Sequence, residues 1–582
     1  MDVDVTFAGV PAGPLELRMS RSSPGRYALH EFAKNVFDVR VTDAAGQALT
    51  VSRPNPHQWN VTGHSGTVRV TYRVFGDRVD GTYLGIDSSH AHINMPAALM
   101  WARGFEDRPA SVRFERPPDT PWRVATQLLS GGDAFSFNAP NLQYLMDSPS
   151  EFSGFALRSF TVPDEVRTPV FRVAIHSAEA NAEVDSLVRD MEAIVRETRH
   201  MFREFPAFEG NTYTFIADYG PWATDDAMEH RNSAFLTSQS SIRSGRLDLI
   251  DSVAHEFFHA WNVERIRPRS LEPFNFQDVN MSGELWFAEG FTSYYASLIM
   301  KRAGLTGVRE FASSMGQAID IVTTSPGRAV RSAVEMSQFA PFVDAAVSID
   351  RTNVSDTYVS YYTWGTAIGL GLDLTLRGRT NGKVTLDDYM RAMWDRFGRP
   401  GMHAAGLVGT PYSLDDLKSV LASVSGDAGF ATDFFARYIE GREVVDYRTL
   451  LGRAGLVLKS GEGRPFTGLP QLRDGPSGVR IVEDVPLGSP AHKAGLARDD
   501  EIVSLGGTRV SRAAEVEAIT VARKPGDRVP VVFARRGARL SAQLELVENP
   551  RIEVVTAEDA GQTLTDDQRR FREQWLSSAG RF

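Results

Sequence analysis

The chain contains no cysteine. Disulfides, thiolate metal sites and thiol nucleophiles are therefore excluded together. No run of about 18 or more apolar residues occurs, so no transmembrane helix is expected. Lys and Arg are scattered and the net charge is -10, which leaves no basic surface for nucleic acid. The first residues also lack a charged n-region, an apolar h-region and a cleavage site. Met1 leads straight into the alternating run Asp2-Val3-Asp4-Val5-Thr6-Phe7. A chain already trimmed of a signal peptide would be periplasmic or secreted; otherwise it would be cytoplasmic.

What is present is ordinary for a globular protein: 582 residues, 42% hydrophobic and 23% charged. That length accommodates about three or four domains. Residues 1–166 read as β, with alternating runs such as Thr67 to Val74 separated by Pro/Gly turn signals. A β-sandwich-like domain is expected there. Val170 to Ile175 and Thr212 to Ala217 read as strands. Between them Val184, Leu187, Met191, Ile194, Val195 and Phe202 keep the helical period. From about Ile250 to Ile439 the patterns are mostly helical, so 167–445 reads as a second unit. Residues 446–549 are Gly-rich and strand-like, and 550–582 form a tail. Thr565-Asp566-Asp567-Gln568 is a capping box that predicts a short helix in the tail.

The most informative stretch is His255-Glu256-Phe257-Phe258-His259. On a helix the two imidazoles lie one turn apart on the same face and can hold one zinc ion. Glu256 then sits beside the metal, placed to take a proton from water. The competing explanation is a merely packed His pair. Two His require at least one further ligand. No third His occurs at metzincin spacing. Glu264 is too close to curl back, and Glu272 precedes Pro273 in a loop-like segment. Glu284 and Glu289 remain, either of which a second helix could present.

Leu285-Trp286-Phe287-Ala288-Glu289-Gly290-Phe291-Thr292 resembles the second zinc motif of the gluzincin metallopeptidases. His255 to Asn262 and Arg265-Ile266-Arg267-Pro268 resemble the glycyl aminopeptidase family within that clan. The resemblance implies Glu289 as third ligand and one zinc per chain. It implies a multidomain α+β architecture: an N-terminal β domain, a thermolysin-like, mostly helical catalytic domain and a C-terminal PDZ domain. Gly478 to Val485, Gly488-Ser489-Pro490-Ala491 and Asp500 to Val503 resemble a bacterial-type PDZ domain. Phe466-Thr467-Gly468-Leu469 stands at that family's carboxylate-binding loop, so a peptide C-terminus is a possible partner. The alternative is a small β domain that only packs on the enzyme.

Ala227 to Ser233 resembles the exopeptidase motif of zinc aminopeptidases, which implies that Glu229 pairs with the free α-ammonium of a substrate. Asp226-Ala227 departs from the glycines usual there. Tyr361-Tyr362-Thr363-Trp364-Gly365 resembles the Tyr-x-Lys-Gly segment, which implies Tyr362 as oxyanion donor with Tyr361 as fallback; Trp364 departs from the usual Lys. Asn94 is expected to face the active site by the same likeness. His90 and His92 share one strand face, but with no third ligand nearby a structural role is expected. The expected activity is zinc-dependent removal of small N-terminal residues, Gly and Ala first. The alternatives are a zinc endopeptidase with PDZ-recruited substrates and a non-catalytic PDZ-bearing scaffold.

Overall fold

The computed structural model describes residues 1–344, 350–400 and 404–581. Its N-terminal part is mostly β, with short helices at Phe32–Asn35, Met95–Ala98 and Leu142–Met146. Strands Asp2–Ala8, Thr67–Val74 and Val36–Thr42 form one antiparallel sheet, with Thr67–Val74 in the centre. The Thr67–Val74 strand buries Val68, Val70, Tyr72 and Val74 on alternate positions, as its sequence pattern predicts. A second sheet runs Thr50–Asn55, Gln58–Thr62, Leu15–Arg18, Trp101–Ala102. A third runs Arg123–Thr126, Ser150–Ser153, His90–Ile93, Leu84–Ile86. Trp59, Trp101, Tyr72 and Leu17 share one core among them.

The element that organises the middle of the molecule is a five-stranded sheet. Its order is Ala156–Thr161, Val170–Ser177, Thr212–Tyr219, Ser233–Ser238, Asp226–His230. The three inner strands run parallel and the two outer ones antiparallel. Alternation sends Val173, Phe215 and Leu236 to one face, against helices Asn181–Phe202 and Ile242–Phe258. It sends Ala174, Ile216, Phe235 and Met228 to the other, against Ala125 and Phe155. Both faces are thus covered, as parallel sheets require.

Helices dominate from Ile242 to Arg453, among them Leu285–Ala288, Gly290–Arg302 and Tyr361–Thr380. The PDZ sheet runs Leu472–Arg473, Val479–Ile481, Glu501–Leu505, Arg528–Arg535, Ala538–Glu545, around its own core of Val479, Ile502, Val531 and Phe533. The chain enters this unit along Leu456–Phe466 and leaves along Val547–Thr556. These two strands pair antiparallel, Leu456 opposite Thr556 and Phe466 opposite Val547. The capping box forms: Thr565 Oγ1 accepts from Gln568 N and starts helix Asp566–Leu576. That helix returns to the catalytic body. Trp575 is fully buried and its Nε1 donates to Tyr294 Oη at 3.0 Å.

Candidate active site

The helix Ile242–Phe258 begins at Ser241, whose side chain accepts from Ser244 N. It carries His255 and Glu256 in its last turn and ends at His259. Asn262 fixes the turn beyond that end. Its backbone oxygen accepts from His259 Nδ1 at 2.5 Å. Its side-chain Nδ2 donates to Phe287 O and Ala288 O, both at 3.1 Å, and to Thr292 Oγ1 at 3.2 Å. One asparagine therefore orients the second imidazole and ties the first motif to the second. Its place in the His255–Asn262 motif is the sequence signal that could have found it.

Glu289 sits between helices Leu285–Ala288 and Gly290–Arg302. Those helices approach Tyr361–Thr380 backbone to backbone. A Cβ on Gly290 would come within 2.3 Å of Gly365 Cα, and one on Gly365 within 2.0 Å of Trp286 O. Only glycine at both places lets the Glu289 and Tyr362 elements come this close.

The donor atoms converge. His255 Nε2 and His259 Nε2 are 3.0 Å apart. Glu289 Oε2 lies 3.4 Å from the first and 3.2 Å from the second. His259 Nδ1 donates to Asn262 O, and Ser293 Oγ lies 3.4 Å from His255 Nδ1, so the Nε2 of each ring is the nitrogen left to ligate a metal once it has shed its proton. Two imidazole lone pairs and one carboxylate aimed at a common point suit zinc. Burial opposes the charge on Glu289, but the two imidazoles outweigh it and hold the carboxyl well below its usual range.

Two more carboxylates join this cluster. The donor atoms of Glu229, Glu256 and His259 lie within 4.8 Å of one another. Glu256 is buried and its Oε2 has no hydrogen-bond partner. Glu229 is buried on the edge strand Asp226–His230. Burial, with Glu289 and Glu256 adding to it and His259 opposing, pushes the Glu229 carboxyl well above its usual range. Among the described residues no Lys or Arg forms an ion pair with Glu229, Glu256 or Glu289. Cations are what this pocket lacks and would attract.

The other residues singled out in the sequence take varied places. The Tyr362 ring lies 6.1 Å from that of His255 and is half-buried, whereas Tyr361 is buried edge-on to Tyr27. Glu284 stays outside the cluster, accepting from Ser270 Oγ and Ser282 Oγ at 2.9 Å each. Asn94 does not line the site; it is buried and donates to Ser23 Oγ and Thr82 O. It thereby supports the 22–27 segment, which does reach the site. His230 points to Asp147, 2.8 Å away, because neighbouring strand residues face opposite ways. Trp364 is buried in the core. Asp226, one of the departures, ion-pairs with Arg26 and accepts from Gly81 N at 2.9 Å, so it fastens the β region to the edge strand.

Tyr27 is a site residue that the sequence does not announce. Its hydroxyl donates to Glu289 Oε1 and its backbone N to Asp344 Oδ2 at 3.0 Å. It comes from the N-terminal β region, far from Glu289 in sequence, and nothing around it signals the contact. With Pro24 and Gly25 it also lines a small cavity of ≈ 30 Å³ beside Glu229. A much larger hollow, ≈ 1600 Å³, lies over the N-terminal sheets and includes none of these residues.

Three parts of the chain match known protein domains. Residues 1–154 match the Peptidase M61 N-terminal domain, 248–368 the M61 glycyl aminopeptidase domain and 460–546 a PDZ domain. No curated protein sequence matches. An aminopeptidase N family protein from Idiomarina loihiensis superposes with a TM-score of 0.83 at 21% identity, covering 99% of this chain and 97% of that one. An M1 zinc metallopeptidase from Deinococcus radiodurans gives 0.42 at 14% identity over 76% of this chain and 90% of its own. Legionella pneumophila aminopeptidase A gives 0.46 at 12% identity, over 99% and 59%. Two of the three matches are to M61 peptidase domains, one of them the glycyl aminopeptidase domain, and they mark the chain as a zinc metallo-aminopeptidase with a C-terminal PDZ domain.

Proposed function

We propose that this enzyme removes small N-terminal residues, Gly and Ala first, from peptides with a free amine. The observation that carries the reading is the single cluster of His255, His259 and Glu289 with two further buried carboxylates, Glu256 and Glu229, beside it. His255, His259 and Glu289 would hold one zinc ion. When bound, zinc polarises the scissile carbonyl and acidifies water. Glu256, with an unpartnered oxygen at the cluster, takes the proton from the attacking water and delivers it to the leaving amine. The Tyr362 hydroxyl donates to the oxyanion as charge develops there. Tyr27 holds Glu289 from the side away from the imidazoles.

Glu229 accepts the α-ammonium. A buried carboxylate with no cationic neighbour discriminates strongly against a substrate that lacks the charge. The cavity of ≈ 30 Å³ beside it has room for little more than a water or a methyl group, which supports a preference for Gly and Ala. In the PDZ unit, Thr467 O accepts from Ala491 N at 2.8 Å and pins the 466–469 loop to helix Pro490–Lys493. That loop is suited to hold a peptide C-terminus.

The test is hydrolysis of glycyl- and alanyl-p-nitroanilide beside N-acetylated copies, with and without a zinc chelator. Chelator-sensitive cleavage of the free-amine substrates alone is expected, and Glu229→Ala should abolish that selectivity. Cleavage of the acetylated copies would instead favour an endopeptidase. Silence from a zinc-replete sample would favour a PDZ-bearing scaffold.

A further inference from the structure

Four buried side chains on the far face of the five-stranded sheet converge without satisfying one another. Three come from the third N-terminal sheet, where His92 and Glu151 are register partners on adjacent strands and His90 lies two residues along. The fourth, Asp218, comes from the catalytic sheet, where the half-buried His176 is its register partner on the adjacent parallel strand. Packing one sheet on the other brings both pairs together. The expectation of no third ligand near His90 and His92 is therefore overturned: the carboxylates arrive through strand register, not sequence proximity.

The hydrogen bonds define which atoms are free. His92 Nε2 donates to Asp80 O at 2.9 Å, which leaves Nδ1 as the nitrogen turned toward the cluster. It faces Glu151 Oε2 at 3.5 Å, too far for a hydrogen bond. Glu151 is fully buried, and neither of its oxygens accepts a hydrogen bond. Asp218 Oδ1 is held by Trp222 Nε1 at 2.7 Å and His176 Nδ1 at 3.0 Å, which leaves Oδ2 unpartnered. His90 Nε2 lies 3.2 Å from that oxygen but outside hydrogen-bond alignment. Among the described residues no Lys or Arg pairs with Glu151 or Asp218.

We propose that His90 Nε2, His92 Nδ1, Asp218 Oδ2 and a Glu151 oxygen form a second, structural site for a divalent transition-metal cation of the zinc type. The donor atoms of His92, Glu151 and Asp218 lie within 4.8 Å of one another, as do those of His90, His176 and Asp218. These two groups share Asp218, so an ion about 2.0–2.2 Å from His92, Glu151 and Asp218 gains its fourth ligand when His90, 3.2 Å from Asp218 Oδ2, turns toward it. Two neutral imidazoles and two carboxylates balance a divalent charge, and the absence of thiolate with mixed N and O donors suits zinc or its neighbours. Outer contacts are in place: Asp80 O on His92, and Trp222 with His176 on Asp218. His176 and the 42% exposed Trp222 lie toward solvent and offer a route in. The site faces away from Glu229, so the ion cross-links the β region to the back of the catalytic sheet and takes no part in peptide cleavage.

The competing occupant is a proton. Burial opposes charge on His90, but Asp218, Glu151 and Asp87 outweigh it and hold that imidazole at about 9. The experiment is zinc titration of the demetallated full chain, read by elemental analysis and thermal melting. Wild type should bind about two ions per chain and H255A/H259A about one. In H255A/H259A, zinc should still raise the Tm; adding E151Q/D218N should remove both the remaining ion and that rise. Wild type binding about one ion, all of it lost in H255A/H259A, overturns the proposal. So does full retention of the ion by the E151Q/D218N combination. If that combination fails to fold, anomalous scattering at the zinc edge from wild-type crystals decides. A peak between Asp218 and Glu151 sustains the site, and its absence there with a peak at His259 refutes it.

Discussion

Two clusters of histidine and carboxylate lie on opposite faces of one sheet, and they are built differently. The near cluster uses one helix turn for two ligands and a neighbouring helix for the third. The far cluster takes His90, His92, Glu151 and Asp218 from three strands in two sheets. The near cluster keeps two carboxylates, Glu256 and Glu229, beyond what a metal needs. The far one has no such surplus, since its carboxylates match the charge of one divalent ion. Surplus acid beside a metal is what proton transfer and amine binding require; a balanced, buried set only holds structure together. Near-face changes should therefore appear in rate, and far-face changes in stability.

The largest expected effect is on the near face. Glu256→Gln should lower kcat by about 10³-fold while bound zinc is unchanged; a near-wild-type rate with full metal would move the general base elsewhere. Tyr362→Phe should lower kcat by about 10²-fold with little change in KM. Tyr361→Phe should do much less, and the reverse order would exchange their roles. Asn262→Ala removes the bridge between the two motifs. It should weaken zinc binding by about 10–100-fold, measured by competition with a chelator. Unaltered affinity would make Asn262 a packing residue only.

A buried histidine outside both clusters sharpens the contrast in stability, not in rate. His30 is 2% exposed and stacks on Phe32. Burial, with Arg26 and Lys34 adding and Asp80 and Glu31 opposing, lowers its imidazole to about 4. His90, facing carboxylates, moves the other way. A His whose folded pKa lies below its unfolded value near 6.5 favours folding above that pH. The contribution is lost as pH falls from about 6.5 through 4, amounting to about 3 kcal/mol. Melting curves of His30→Gln should lose this acid-side slope; an unchanged slope would assign it to other groups.

The near cluster is legible in the sequence because its information is local. The i, i+4 spacing of His255 and His259 has one obvious chemical use, and the Leu285 to Thr292 motif carries its own likeness. Long alternating or 3.6-periodic runs, such as Thr67–Val74 and Asn181–Phe202, also form as their patterns predict. Tyr27 and the partners of His90 are not legible. Their contacts depend on how strands register and how sheets stack, which single-chain periodicity does not encode. Asn94 falls short of the site for a related reason: its likeness gives a direction, but the space between is filled by the 22–27 segment that Asn94 itself supports.

The paired strands that carry the chain into and out of the PDZ unit have a consequence for how the molecule was assembled. Phe466 and Val547 face each other at the mouth of that unit. Joining them by a short turn would leave a plain β-hairpin on the catalytic body, with the C-terminal helix still docked through Trp575. The PDZ unit is therefore a cassette spliced into a hairpin tip, not a bead on a trailing string. It could be exchanged, or removed, with both cut ends already side by side.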